Sequence, residues 1–357
     1  MAKILILRLG AMGDILHALP VVTGIRKALP TATIGWLVEE RWKALLEAEG
    51  QPCPEGAVCP QRPVVDLLHT VNTKRWRGQF LHSNTRKEIA GAIRRVRRTQ
   101  YDIAIDFQGA VKSGFLAALS GAKTKAGFDT PRESAARFFY SATFPRAGEH
   151  VIEQNHAMAA AALQKYLGAG ELELIAPQLP DDSAADAWAN GEIARLGIAS
   201  FAIMNPGAGW GAKQWPAERY GEVARALATH GLKTLVNCAP GEEVLAQQLV
   251  ASSGGHAFIV RCTIGQLIAL TRRARLFLGG DTGPLHLAAS LGVPVVGIFG
   301  PTDPARTGPF GTRAIALRNP ESQTTFSHHE QPEEGLMKIT AEEAISAARY
   351  LLGSARG

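Results

Sequence analysis

Gly279 to Pro304 reads GGDTGPLHLAASLGVPVVGIFGPTDP. The apolar run Leu276–Gly279 leads into it and reads as a buried strand that ends at Gly280. Asp281, Thr282 and Gly283 then make a turn, and Pro284 suits the first turn of a helix, where its missing N–H costs nothing. The helix runs to about Leu291. A second β-branched run, Pro294–Phe299, follows and stops at another turn, GPTDP. Strand, helix and strand in that order, each strand apolar on both faces, describe a βαβ unit of a parallel sheet.

The same alternation extends in both directions. Toward the C-terminal half, Phe201–Asn205, Lys233–Cys238 and Ala257–Val260 read as strands. Helical patterns at Ala217–Thr229, Glu242–Ala251 and Ile264–Arg273 separate them. In the first half the strand candidates are Lys3–Leu9, Thr33–Val38, Val64–Val71, Tyr101–Phe107 and Lys123–Phe128. Helical patterns there cover Arg41–Glu49, Thr85–Arg98, Val111–Leu119 and His150–Leu167. The fold class is therefore α/β, with two doubly wound Rossmann-like domains. The Pro- and Asp-bearing stretch Ala176–Ala187 marks the break, giving domains at 1–178 and 179–340. A final amphipathic segment, 341–357, either closes the second domain or packs back on the first. Two such domains facing a central cleft make the GT-B architecture, an outline shared by two-domain dehydrogenases and periplasmic-type binders.

At 357 residues and 46% hydrophobic content the chain supports two sizeable cores. No apolar run approaches the ~18–20 residues of a membrane span. Lys3, Arg8 and Asp14 interrupt any secretory signal core, so a cytoplasmic location is expected. The four cysteines, Cys53, Cys59, Cys238 and Cys262, have no CxxC or zinc spacing and read as free thiols. The net charge of +6 is uneven: residues 1–175 carry +7 and the remainder −1. Lys74–Arg98 alone holds nine basic residues and one acid, Glu88. That stretch is either a solvated helix face or a surface for phosphates, an acidic sugar or an anionic membrane. Nucleic acid is disfavoured, because no recognition motif accompanies the charge.

Two further turns carry candidate chemistry. LRLGAMGDILHALP, Leu7 to Pro20, follows the first strand. It lacks the third glycine of GxGxxG, so the dinucleotide fingerprint fails. Asp14 is either a helix cap or a functional carboxylate. Pro20 favours a helix that begins near it, leaving Gly13–Leu19 as a loop or single turn. NPGAGWGAKQWP, Asn205 to Pro216, also lies between a strand and a helix. Its small residues let backbone N–H groups approach an oxyanion, and Lys213 adds a full charge. In the first stretch quoted, Thr282 and the amides of Thr282 and Gly283 face an anion at a helix start, with His286 one turn on. His328 and His329 read as surface residues. No DxD pair or metal-ligand cluster is present.

Together these stretches resemble the ADP-heptose:lipopolysaccharide heptosyltransferases, glycosyltransferase family nine, over nearly the full length. The likeness rests on the MGD-xLH-xLP loop, the PGA-to-K-x-W loop and the DTG-xxHLAA…FGPTDP segment. TKRWRG (Thr73–Gly78), YDIAIDFQGAVKSG (Tyr101–Gly114) and HVIEQNHA (His150–Ala157) resemble the branch that adds the first heptose to Kdo-modified lipid A. The resemblance implies an inverting, metal-independent transfer from ADP-heptose, with no cofactor. It implies Asp14 as general base, with Gly13 beside it. Lys213 would meet the donor diphosphate, helped by Ala208, Gly209, Thr282 and Gly283. Asp281 would hold heptose hydroxyls or order the donor, Glu242 the ribose, His286 the diphosphate side, and Cys262 the adenine pocket. Lys74, Arg75, Arg77 and Arg132 would receive the anionic Kdo-lipid A acceptor, with Gln108, Lys112 and His156 as lesser contacts. The enzyme would work peripherally at the inner leaflet. The sequence departs from the family at Ala208–Gly209, where some members have hydroxyl side chains, and at Cys262, where methionine is common. A later heptosyltransferase, a nicotinamide oxidoreductase and a non-catalytic binding module are the rival readings.

Overall fold

A computed structural model describes the chain except residues 51–52, 80–81, 326–330 and 354–357. His328 and His329 therefore lie outside the described residues. The chain divides into two compact units, Met1–Asp181 and Asp182–Gly357.

In unit one the order is β1 (Lys3–Leu7), α1 (Met12–Ala28), β2 (Thr33–Glu39), β3 (Leu67–Val71), α2 (Thr73–Gly78), α3 (Ser83–Arg98) and β4 (Ile103–Asp106). Then come α4 (Val111–Leu119), β5 (Thr124–Phe128), β6 (Ala142–Phe144) and α5 (Val151–Leu167). Among the described residues its sheet has six parallel strands in the order β3-β2-β1-β4-β5-β6. Because β1 pairs with β2 on one side and β4 on the other, the order in which strands are added along the sheet reverses between β1 and β4. The loops after these two strands thus diverge at a topological switch point, the usual ligand position in an open α/β sheet.

Unit two repeats the plan: α6 (Ser183–Arg195), β7 (Phe201–Asn205), α7 (Ala217–Ala228), β8 (Lys233–Asn237), α8 (Glu243–Ser252), β9 (Ala257–Val260) and α9 (Ile264–Thr271). These are followed by β10 (Leu276–Gly280), α10 (Gly283–Ser290), β11 (Val295–Phe299), α11 (Pro304–Thr307), β12 (Ala314–Arg318), α12 (Glu334–Lys338) and α13 (Ala341–Gly353). The described strands form a six-stranded parallel sheet, β12-β11-β10-β7-β8-β9, with its switch point between β7 and β10. Asp182 starts the unit as the cap of α6, accepting the amides of Ala184 and Ala185 at 3.1 and 3.0 Å. Helix α13 joins this unit's core through Ala344, Ile345, Ala348 and Leu351, beside Val223 and Leu227 of α7.

Two expectations are corrected here. The helix after β1 does not wait for Pro20: α1 runs from Met12 to Ala28 with the proline inside it, so Gly13–Leu19 is helical. A proline within a helix costs about 3 kcal/mol through its lost hydrogen bond and ring clash. Here Ile15, Leu16, Leu19, Val21, Val22 and Ile25 are all buried, and each contributes about 1.5–3 kcal/mol on leaving water. Burial wins. The second correction concerns thiols. Cys238 and Cys262 are free, but Cys53 and Cys59 form a disulfide with Cα atoms 6.1 Å apart. Arg62 shapes that loop, donating to the carbonyls of Pro54 and Ala57 at 2.8 and 2.9 Å while pairing with Glu47 at 2.7 Å. A turn curled around one buried guanidinium brings its two cysteines together, which their spacing alone does not reveal.

Candidate active site

At the switch point of unit one, Arg8 organises the end of β1. It is nearly buried, 7% exposed. One guanidinium nitrogen donates to the Phe107 carbonyl in the loop after β4. The other lies 2.5 Å from Asp14 Oδ1. Asp14 is the third residue of α1 rather than its cap, and its Oδ2 accepts the Ala11 amide at 3.0 Å. The carboxylate is thus fixed by two donors, and its side chain remains 34% exposed. An acid in a helix's first turn is stabilised electrostatically, but that alone does not require a buried arginine to aim it.

The loop after β4 is locked to the same place. Gln108 Oε1 accepts the Leu9 amide at 2.8 Å. Asp106, fully buried at the end of β4, accepts the Ser113 and Tyr140 hydroxyls, both at 2.7 Å, and the amides of Gln108 and Gly109. Burial pushes its carboxyl upward while these donors oppose the rise. Gly109 needs its positive φ of 64°, and a Cβ there would stand 3.0 Å from the Arg132 amide nitrogen. Asp14, Gln108 and the Arg132 backbone therefore belong to one loop cluster, with Gly13 in the first turn of α1. Lys112 is exposed on the first turn of α4. Lys74, Arg75 and Arg77 are exposed on α2, after β3, where Arg75 pairs with Glu88 of α3. His156 is not displayed for a ligand by its Nε2, which bonds the Leu172 carbonyl at 2.6 Å.

The switch point of unit two gathers the second cluster. Asp281, directly after β10, has Lys213 Nζ 2.6 Å from Oδ2 and His286 Nε2 3.0 Å from Oδ1. Burial would raise the Asp281 pKa, but the His286 hydrogen bond and charge, together with Lys213, outweigh it and hold the carboxyl below the ordinary range. Lys213 enters from the loop after β7, and Gly280 keeps room for that loop, since a Cβ there would lie 3.3 Å from the Lys213 carbonyl. Thr282 sits at the cap position of α10 with its hydroxyl 3.3 Å from the Gly280 carbonyl oxygen. The Thr282 and Gly283 amides open α10; Pro284 has no N–H, and the Leu285 amide donates to the Thr282 carbonyl at 3.1 Å.

A step along the sheet, Glu242 precedes α8 and accepts the Ala239 amide at 3.1 Å. Burial raises its pKa. Its carboxylate presses on Gly207, where a Cβ would fall 1.9 Å from Glu242 Cδ. Ala208 and Gly209 continue that loop. Cys262, after β9, has its thiol pushed up to about 12 by burial and 3.6 Å from Asn237 Oδ1. It stays protonated near neutrality and is no nucleophile. Arg8, Asp106 and Tyr140 escaped sequence reasoning. The one signal for the first two was position, immediately after or at the end of a buried strand.

Two doubly wound parallel sheets with polar clusters at their switch points are the layout of a GT-B glycosyltransferase. The profile of glycosyltransferase family 9 (heptosyltransferase) matches residues 89–337, and the chain belongs to this family. It is a transferase, which removes the oxidoreductase and non-catalytic readings. Lipopolysaccharide heptosyltransferase 1 of Pseudomonas aeruginosa is 28% identical across 88% of this chain and 83% of its own length. Lipopolysaccharide heptosyltransferase 3 of Escherichia coli is 23% identical across 95% of both. Among solved structures, the glycosyl transferase family 9 protein of Veillonella parvula superposes with a TM-score of 0.79, at 22% identity over 99% and 98% of the two chains. The E. coli heptosyltransferase WaaC, solved with ADP, gives 0.74 at 23% identity over 98% and 99%.

Proposed function

We propose that the chain is heptosyltransferase I of lipopolysaccharide inner-core synthesis, moving heptose from ADP-heptose to the Kdo of Kdo-lipid A. The observation that carries the reading is the Asp14 carboxylate, part-exposed and aimed by the buried Arg8 at the switch point of the first sheet. In this reading an acceptor hydroxyl loses its proton to Asp14 as its oxygen attacks the anomeric carbon of heptose. The bond from that carbon to the diphosphate oxygen breaks, ADP leaves, and the anomeric configuration inverts. General-base help of this kind is commonly worth about 10²–10⁴ in rate.

Negative charge grows on the departing diphosphate. Lys213 and the first turn of α10, at Thr282 and Gly283, meet it, with Ala208 and Gly209 lining the approach. Asp281 aligns Lys213 through the 2.6 Å contact and is itself steadied by His286. Glu242 takes the ribose hydroxyls, and Cys262 lines the adenine pocket. Lys74, Arg75, Arg77 and Arg132 receive the acidic acceptor, with Gln108 and Lys112 beside them. Fixed cations and amides supply the stabilisation, so the proposal needs no metal. The acceptor is a lipid, which puts the enzyme at the inner leaflet of the cytoplasmic membrane as a peripheral protein. Among the described residues, no helix is long and apolar enough to cross a membrane.

The assignment to the first heptose, rather than a later one, leans on TKRWRG, FQGAVKSG and the higher identity to heptosyltransferase 1. Incubation with ADP-heptose and Kdo-lipid A in EDTA, followed by mass analysis of the lipid, tests it. One added heptose is expected. Transfer only to an acceptor already bearing heptose would make this a later heptosyltransferase, and activity restored only by a divalent ion would overturn the metal-free mechanism.

A further inference from the structure

Beyond the acceptor contacts proposed on α2 and at Lys112, the face of unit one formed by α2, α3 and α4 carries a feature that the transfer chemistry leaves unused. These helices lie on one side of the sheet, where Trp76 of α2, Ala92 and Val96 of α3 and Ala117 of α4 share a core with Leu5, Leu7 and Leu9. Their outer surfaces expose Arg86, Lys87, Arg94, Arg95, Arg98 and Lys112. The single acid on these three helices, Glu88, is engaged by Arg75. Nothing within the helices neutralises the rest.

Next to this charge, large apolar side chains stand in water. Phe138 is 90% exposed, Phe115 51% and Val111 37%. Val111 and Phe115 are one turn apart on α4 and share a face. Phe115 meets Phe139 edge-on with ring centroids 5.9 Å apart, which sets it beside the 3-10 turn Ser134–Phe139 that bears Phe138. That turn is bolted to α4. The Glu133 carboxylate accepts the Val111 amide at 2.8 Å, and Gly114 allows a close approach, since a Cβ there would lie 3.0 Å from the Phe139 ring. Lys112, Arg132 and Arg137 are exposed around this apolar tip.

We propose that this face docks the enzyme on an anionic lipid bilayer. Phe138, Phe115 and Val111 enter the boundary between headgroups and acyl chains, and the arginines of α3 lie over the anionic headgroups. An aromatic tip with a basic surround matches both layers of such a surface at once. A polyanion without an apolar layer would leave the phenylalanines in water. A second protein would need an acidic rim around an apolar socket. The inference rests on the proposed acceptor being a lipid, but its test does not.

The test is cosedimentation of the full chain with phosphatidylcholine vesicles, with and without phosphatidylglycerol, in the absence of donor and acceptor. Binding to the anionic vesicles is expected, weakening as salt is raised, with little binding to the neutral ones. F115S combined with F138S should lower the partition roughly tenfold, and R94Q and R98Q about fivefold each. All four side chains are exposed, so an unchanged thermal midpoint checks that the fold is intact. Equal binding to neutral vesicles, or an unaltered partition in the phenylalanine variant, would overturn the proposal. So would a concentration-dependent dimer, or oligonucleotide binding, that the same variant abolishes. Transfer to a water-soluble acceptor should survive F115S/F138S, so failure of the docking proposal is distinguishable from failure of the transferase reading.

Discussion

Arg8 is the residue on which the geometry of the proposed base depends. Its fork spans the Phe107 carbonyl and the Asp14 carboxylate, so it binds two loops that have no covalent reason to stay together. Arg8→Met should lower kcat roughly 10–100-fold while leaving ADP affinity unchanged. Arg8→Lys should recover only part of the loss, because an ammonium carries the charge without the planar fork. Steady-state kinetics beside ADP titration checks this, and an Arg8→Met enzyme of normal kcat would remove Arg8 from the positioning role. In unit two, Asp281 is held ionised by His286 and Lys213 against the cost of burial. Its folded pKa lies below the unfolded value of about 3.9. The stabilisation is therefore fully present above that value and is lost as pH falls through the folded pKa. Asp281→Asn should flatten the fall in thermal midpoint below about pH 4; an unaltered acid limb would contradict the pairing. Asp14, Lys213 and Asp281 were visible in the sequence as candidates because each lies near glycines shortly after an apolar run. Arg8 was not. A lone arginine at a strand end looks like any side chain reaching for solvent, and only the fold supplies the Phe107 carbonyl 99 residues away.

The secondary elements followed the sequence wherever an apolar run was continuous. β7, β9 and α4 have the expected limits, and most other strands and helices differ by one to a few residues. The misses have physical causes. β6 is three residues long at a sheet edge and β12 has no fully buried residue, so neither presents a core strand's pattern. α2 is too short for a 3.6-residue period to show, and Arg41–Glu49 becomes a 3-10 turn, Glu40–Leu45. α1 hid behind Pro20, because a local proline penalty is visible in sequence and the burial of a whole helix face is not. Loop contacts were the least legible. Gly207 reads as one more small residue of a flexible turn, yet the Glu242 carboxylate occupies the space of its missing Cβ. Gly207→Ala must therefore displace Glu242. If Glu242 holds the donor ribose, the loss of a charged hydrogen bond, about 1.5–3 kcal/mol, should weaken ADP binding roughly 10–100-fold. Calorimetric titration reads this directly, and an unchanged Kd would take Glu242 out of the donor site.

At the scale of the whole molecule, one fold plan is used twice with different net charge. Residues 1–175 carry the entire positive excess, and their switch point holds a carboxylate. The second unit is near neutral, and its switch point holds a lysine paired with the Asp281 carboxylate beside a helix start. With base chemistry proposed in the first unit and donor binding in the second, the two should be separable by substitution. The most direct measurement pairs heptosyl transfer with ADP affinity in Asp14→Asn. This variant keeps the size of the side chain and removes its basicity. Transfer should fall by about 10²–10⁴ with the ADP Kd unchanged within a few-fold. Transfer at the wild-type rate, or a loss of ADP binding equal to the loss of rate, would contradict it.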